Sequence, residues 1–327
     1  MRASNKWLSS LQKSVMAMAA VLCMSSCEHK ELCYDHHHGY TLNVTFDWRY
    51  AQNASPRSMF LYLFPRTADS QTLRREFAGH TGGKTQVPVD VPFDAVFFNS
   101  DIKNTAFCGM SGTETFEATS KSCNPVSASG LYTTSLPRAT GAEGERMVCE
   151  ADSIWSGQSD ECIMHTLEEY ECNDIYDVTF FPRRLFCTYN IRIVNVKNIG
   201  NISSNMTATL SGMAGGRYVA SREKNGEAVT VVFPMAADKG CNSITGRMNN
   251  FGNIADRPNK MVLYTTLVDG SKWYYVYDVA DQIRAASDPY NVEIVLDTLP
   301  IPGKIQDDGG LKPSVGEWNR VDVDIKM

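Results

Sequence analysis

The sequence predicts an all-β protein built as two sandwich domains in series, with one or two short helices. Three observations carry that prediction. The dominant hydrophobic period is two residues, the period of a half-buried strand and not of a helix. Two β-rich halves of similar length each open on a long alternating strand, one over residues 40–48 and one carrying Tyr189, Ile191 and Ile193. Hydrophobic content of 43% with 10% aromatics is that of a folded chain with a core, and no tandem repeat of solenoid or propeller length is visible.

The front of the chain is not sandwich. "MRASNKWLSSLQK" carries Arg2, Lys6 and Lys13 and no acid, and the apolar run "SVMAMAAVLCM" follows. That run is shorter than the roughly twenty residues a membrane-spanning helix needs, so it reads as a secretory leader. Leu22 is too bulky to precede a cleavage at Cys23. Ser25-Ser26 before Cys27 resembles a lipobox, whose cysteine is diacylated and becomes the first residue. Residues 1–26 are therefore expected to be a lipoprotein signal peptide and 27–39 a lipid-anchor tether. Diacylglycerol and an N-acyl chain (palmitate among them) on Cys27 would hold the protein on a membrane.

The first sandwich is expected over 40–184. "YTLNVTFDW" turns Leu42, Val44, Phe46 and Trp48 inward. "SMFLYLF" and "DAVFFN" are core strands beside Pro65 and Pro92. Between about 100 and 175 the pattern weakens: "SGTETFEATSKSCNPVSASG" reads as loop with one short strand, and "DECIMHTLEEYEC" as a short helix. The second sandwich is expected over 185–327, after the Pro182-Arg183-Arg184 step. Tyr189, Ile191 and Ile193 alternate in a long strand, and Gly215-Gly216 suggests a turn with positive φ. "EAVTVVFP" is a strand. "MVLYTTLVDGSKWYYVYDV" is a hairpin about Asp269-Gly270, and "ADQIRAAS" makes two helical turns. "NVEIVLDTL" is a strand, and Val321, Val323 and Ile325 alternate in a last strand over 320–326.

Several segments together carry a family likeness: the "CEHKELCYDHHH" opening, Phe46-Asp47-Trp48, the P-R-R step, "LSGMAGG" at 210–216 and the "LVDGSKWYYVYDV" hairpin with "ADQIR". The chain resembles the lipoproteins of Bacteroidales that group with fimbrillin-like proteins, over nearly all of its mature length. Asp35-His36-His37-His38 departs from the family's usual D-H-P-H. The resemblance implies two transthyretin-like β-sandwich domains and a role as stalk, tip or anchor subunit of a pilus. It also implies that stalk subunits lose their first strand to a protease cutting after arginine, which opens a groove for strand exchange with another subunit. Arg49 and Arg57 are the candidate processing residues. Asp152-Ser153-Ile154 and Asp297-Thr298-Leu299 resemble O-glycosylated triplets, making Ser153 and Thr298 the candidate attachment points.

The remaining chemistry is sparse. A formal charge of −6 without a basic block argues against nucleic acid. His36, His37 and His38 cannot all face one ion and read as a polar tether, so no metal or cofactor is expected; His29, His80 and His165 read as solvated. Gly157-Gln158-Ser159-Asp160 stops short of G-x-S-x-G at Glu161, and S-x-x-K at Ser100 and Ser221 lacks its companion motifs. Glu168-Glu169 and Asp307-Asp308 read as solvated acids, and no enzyme activity is expected. Cys33, Cys108, Cys123, Cys149, Cys162, Cys172, Cys187 and Cys241 remain in the mature chain, either paired or as buried thiols. Trp273, Tyr275 and Tyr277 share one face of a strand, a candidate binding face for sugars or a partner if exposed. The sequence thus predicts an outer-membrane lipoprotein at the cell surface, with a fimbrillin-like role in pilus assembly, anchoring or adhesion through β-strand contacts. The alternatives are a surface glycan-binding lipoprotein of a polysaccharide-uptake system and a hydrolase with scattered acids.

Overall fold

Alternation in the first strand places every second side chain in a core. Gly39–Phe46 forms β1, with Tyr40, Leu42, Val44 and Phe46 buried and Thr45 exposed. The structure, a computed structural model, describes residues 39–124, 135–166, 175–203, 206–303 and 318–323. The leader, Cys27, Cys33, the three histidines, Cys172 and both acidic pairs lie outside them.

Two layers make up the first half. In one, β1 lies between β10 (Ile175–Phe180) and β4 (Gly82–Pro88), parallel to the first and antiparallel to the second. The other runs in the order β11 (Arg183–Arg184), β9 (Trp155–Gln158), β5 (Phe93–Asn99), β2 (Ser58–Pro65), β3 (Leu73–Ala78). Leu42, Val44 and Phe46 of β1 meet Met59, Leu61 and Leu63 of β2 and Phe97 of β5 in the core between the layers. The outer face of the second layer is covered too. Phe60, Tyr62 and Phe98 pack against Phe107 of β6 (Thr105–Cys108) and Phe116, just before β7 (Glu117–Ser120).

The second half is one hydrogen-bonded path of strands curled around a single core. Its order is β19 (Asn291–Pro300), β12 (Cys187–Lys197), β16 (Ser243–Asn250), β15 (Ala228–Asp238), β13 (Met206–Ala214), β17 (Lys260–Thr266), β18 (Lys272–Asp278), β20 (Trp318–Asp322). Tyr189, Ile191 and Ile193 of β12 share that core with Leu210 of β13, Leu263 of β17 and Tyr277 of β18, so the two ends of the path face one another. A short helix α1 (Ala280–Ala285) follows β18, as "ADQIRAAS" predicts. The β17–β18 turn closes on Gly270 at φ 82°, with the Leu267 N–H donating to Ser271 O at 2.9 Å.

Two strands tie the halves together. β8 (Arg146–Cys149), from the first half of the sequence, runs parallel to β15 in the large sheet. β14 (Gly216–Tyr218), from the second, pairs with β7.

Three expectations are corrected. Gly215-Gly216 is not a positive-φ turn: the left-handed residue is Gly212 (φ 72°), at a register break between Leu210 and Met213 of β13. Gly216 is needed for close approach instead, since a Cβ there would lie 2.5 Å from Ala118 O. Asp160–Thr166 is not helical, because Ile163 exchanges both backbone hydrogen bonds with Phe93; the rest of that stretch lies outside the described residues. The weakly patterned region also holds more than one short strand, namely β6, β7, β8 and β9.

Candidate functional site

The site with the clearest geometry is β1 and the strand edges around it. Residues 41–46 pair with 175–180 of β10, and residues 39–45 with 82–88 of β4, so β1 is bonded on both sides. The chain then turns at once, with the Ala51 N–H donating to Trp48 O at 2.9 Å. Arg49 stands in that turn with 59% of its side chain exposed. Its Nε donates to Asp47 Oδ2 at 3.0 Å, which holds the Asp47 carboxyl below its ordinary range. The guanidinium also lies 4.8 Å from the Phe181 ring centre, and Arg183 covers the Tyr50 ring at 4.4 Å. Arg57 is exposed immediately before β2, and its carbonyl accepts the Gly79 N–H at 2.8 Å. A cut after Arg49 would carry away β1 and leave β10 and β4 facing each other across a gap one strand wide.

A second opening lies beside β10. Among the described residues the far edge of β10 has no strand partner, and β9 is paired beyond β5 only at Trp155 and Ser156. Between these edges runs a cleft of about 520 Å³, lined by Gly157, Gln158, Asp160, Asp177, Thr179 and Arg222. Among the described residues no strand pairs with these edges, and an edge free of a strand partner can accept an extended chain.

The aromatic row is not a surface. Tyr275 and Tyr277 are wholly buried in the second core, and Trp273 packs against it half-buried. The curl of the sheet turns that face inward, where burial pushes both phenols well above their ordinary range. His80 and His165 are half-buried, not solvated: their ring centres lie 5.9 Å from Trp48 and 5.3 Å from Tyr40. Ser153 is half-buried, with Asn249 Nδ2 donating to its Oγ at 3.2 Å. Thr298 is exposed at φ 61°, opposite Asn195 at φ 54°, where the β12–β19 ladder skips a residue on each strand.

One cluster had no signal in the sequence. Arg217 of β14 is 8% exposed; its Nε donates to Phe251 O at 2.8 Å and its Nη1 to Tyr290 Oη at 3.2 Å. Burial raises the Tyr290 phenol, but hydrogen bonds from Arg217 and Arg222 outweigh it and bring it below its ordinary value. Burial, and then Arg217, draw the Lys224 ammonium down. Arg184 donates to Asn291 Oδ1 at 2.7 Å, so the cluster joins the end of the first half to β14 and the start of β19.

These layers define a β-sandwich protein whose first strand is central to its sheet. Residues 26–234 match the family DUF5119, a domain of unknown function, and the chain belongs to that family. Its fold is similar to that of a candidate adhesin from Bacteroides ovatus ATCC 8483, at 15% identity and a TM-score of 0.58, covering 85% of this chain and 99% of that one. Two likenesses are weaker. The fimbrial anchor protein Mfa2 from Porphyromonas gingivalis has 12% identity and a TM-score of 0.46 over 79% of this chain and 90% of that one. A candidate polysaccharide-binding protein of family DUF1812 from Bacteroides thetaiotaomicron has 11% identity and a TM-score of 0.47 over 80% and 92%. No curated protein matches the sequence.

Proposed function

We propose that this is a lipid-anchored cell-surface protein with a fimbrillin-like role in pilus assembly, anchoring or adhesion, acting through β-strand contacts with neighbouring subunits. Cys27 is the acylated residue that tethers it to the outer membrane. The observation that carries the reading is the pair of edges, β10 and the end of β9, that have no strand partner among the described residues and flank a cleft beside an intact β1. An extended segment of a neighbour entering that cleft gains a ladder of main-chain hydrogen bonds without displacing any strand. Processing at Arg49 is the second route, since it would vacate the place of β1. The names of the structural neighbours, a candidate adhesin and a fimbrial anchor protein, agree with this role. The glycan-binding alternative loses its row of exposed aromatics to the core.

Intact mass and N-terminal peptide mapping of protein from native membranes test the proposal. A chain beginning at acylated Cys27 is the expected result and keeps β1 in place. A chain beginning at Tyr50 would move the contact from the cleft to the vacated β1 position. An unacylated amino terminus, with Cys27→Ala protein still retained after carbonate washing, would overturn the anchor.

A further inference from the structure

Cys123 and Cys149 are twenty-six positions apart in sequence and come together where β7's continuation crosses β8. Ser122 and Val148 form an antiparallel bridge. The Cys123 N–H donates to Met147 O at 3.2 Å, and the Cys149 N–H to Lys121 O at 3.0 Å. In this register Cys149 faces Lys121, and Cys123 lies two residues further along, so both side chains leave on the same side of the ladder. The two thiols are close enough to interact electrostatically, and both residues are half-buried. Each is a free thiol in the structure.

The other four described cysteines have different neighbours. Cys108 contacts Glu117, Cys162 lies near Tyr40 and Arg66, Cys187 contacts Arg217 and Cys241 contacts Asp238.

We propose that Cys123 and Cys149 are a dithiol–disulfide pair, oxidised to an intramolecular bridge in the exported protein. The oxidant is a disulfide donor, oxidised glutathione or an oxidoreductase carrying a disulfide. A thiolate of the pair attacks the donor and forms a mixed disulfide, releasing one donor thiol. The second cysteine then displaces the other donor thiol. The pair loses two protons and two electrons as the S–S bond forms, and the donor's S–S bond is reduced to two thiols.

Backbone hydrogen bonds on both sides of Ser122–Val148 hold the two cysteines at diagonal positions on one face of the ladder, from which their side chains can converge as a disulfide needs. Burial and then the neighbouring Cys149 push the Cys123 thiol up to about 12. The bridge would close the loop from which Leu136, Ala139 and Ala142 pack onto Val262 and Tyr264 of β17. It would also fasten the β7–β14 pairing to the β8 strand of the large sheet.

The test is alkylation and peptide mapping of the full mature chain after equilibration with reduced and oxidised glutathione. The expected result is a joined Cys123–Cys149 peptide two hydrogens lighter than the separate ones, while Cys108 and Cys241 stay alkylated. The melting temperature should rise by several degrees on oxidation, and Cys123→Ser should abolish that rise. Full alkylation of both cysteines under oxidised glutathione, or a bridge from either to a different cysteine, would overturn the proposal. Mapping of the unmutated chain decides the matter even where the serine variant fails to fold.

Discussion

Tyr277 is wholly buried in β18, and its hydroxyl has no hydrogen-bond partner among the described residues. A buried unpaired hydroxyl costs about 1–3 kcal/mol, while the ring itself fills the core. Tyr277→Phe should therefore leave the fold intact and raise stability by up to about 1 kcal/mol; a lower melting temperature would show that the hydroxyl is satisfied. Gly216→Ala acts in the opposite direction. Its Cβ would meet the Ala118 carbonyl, which is fixed in the β7–β14 ladder, so a loss of about 1–3 kcal/mol is expected in urea denaturation. Arg146 and Glu227 form a two-pronged pair, with Nε–Oε1 and Nη2–Oε2 both at 2.8 Å. The Arg146 hydrogen bonds hold the Glu227 carboxyl below its ordinary value. Its folded pKa is depressed, so its contribution is complete above the ordinary glutamate range and is lost as pH falls through the folded value. Both side chains are partly exposed, at 34% and 43%, so the contribution is at most about 1 kcal/mol. Glu227→Gln should lose that amount at neutral pH and little in acid; equal urea midpoint shifts at both pH values would contradict the pair's role. Of these residues only Tyr277, as part of an aromatic row, and Gly216 drew attention in the sequence. Gly215-Gly216 looked like a turn because the approach of β7, far away in the chain, leaves no local trace.

At the scale of elements, strands with long alternation were legible and short ones were not. β1 and the first part of β12 bury alternate residues, so their period survives in the sequence, whereas the β17–β18 hairpin, with β17 buried on both faces, was legible from its two β-rich runs around Asp269-Gly270. β6 to β9 are four residues each, too short for a period to stand out, and β7, β8 and β9 are received by partners distant in the chain. The alternation of β1 makes a sharp test. Val44→Asp would place a charge at a position 2% exposed and should cost roughly 3–5 kcal/mol or prevent folding. Thr45→Lys, one residue on and facing solvent, should change stability by no more than about 0.5 kcal/mol. Comparable melting temperatures for the two would mean that β1 does not sit in the register described. The open edges were equally invisible in the sequence, because a strand edge is a property of which neighbours are missing. The processing candidates could be named from residue type alone, whereas the turn that exposes Arg49 needed the structure.

For the whole molecule, the decisive pairings are the distant ones. β1 pairs with β10 and β12 with β19, each across more than a hundred residues, and no window of sequence contains both partners. β8 and β14 go further, since each leaves its own half to join a sheet of the other. Two sandwiches connected by a linker would unfold as two transitions. Here Val148 is wholly buried in the second core although its strand belongs to the first half, and the chain from Gly39 onward forms one compact unit. Unfolding the large sheet therefore removes the partners of β8, and unfolding the first half strips β15 of a neighbour. A single calorimetric transition is expected, with the measured enthalpy close to the van't Hoff value. Val148→Asp should uncouple the halves, because a buried carboxylate expels β8 from its place beside β15 without touching the layers around β1. Two resolved transitions in that variant, with the unmutated chain giving one, are the expected outcome. Two transitions already present in the unmutated chain would mean that β8 and β14 dock onto sheets that are stable without them.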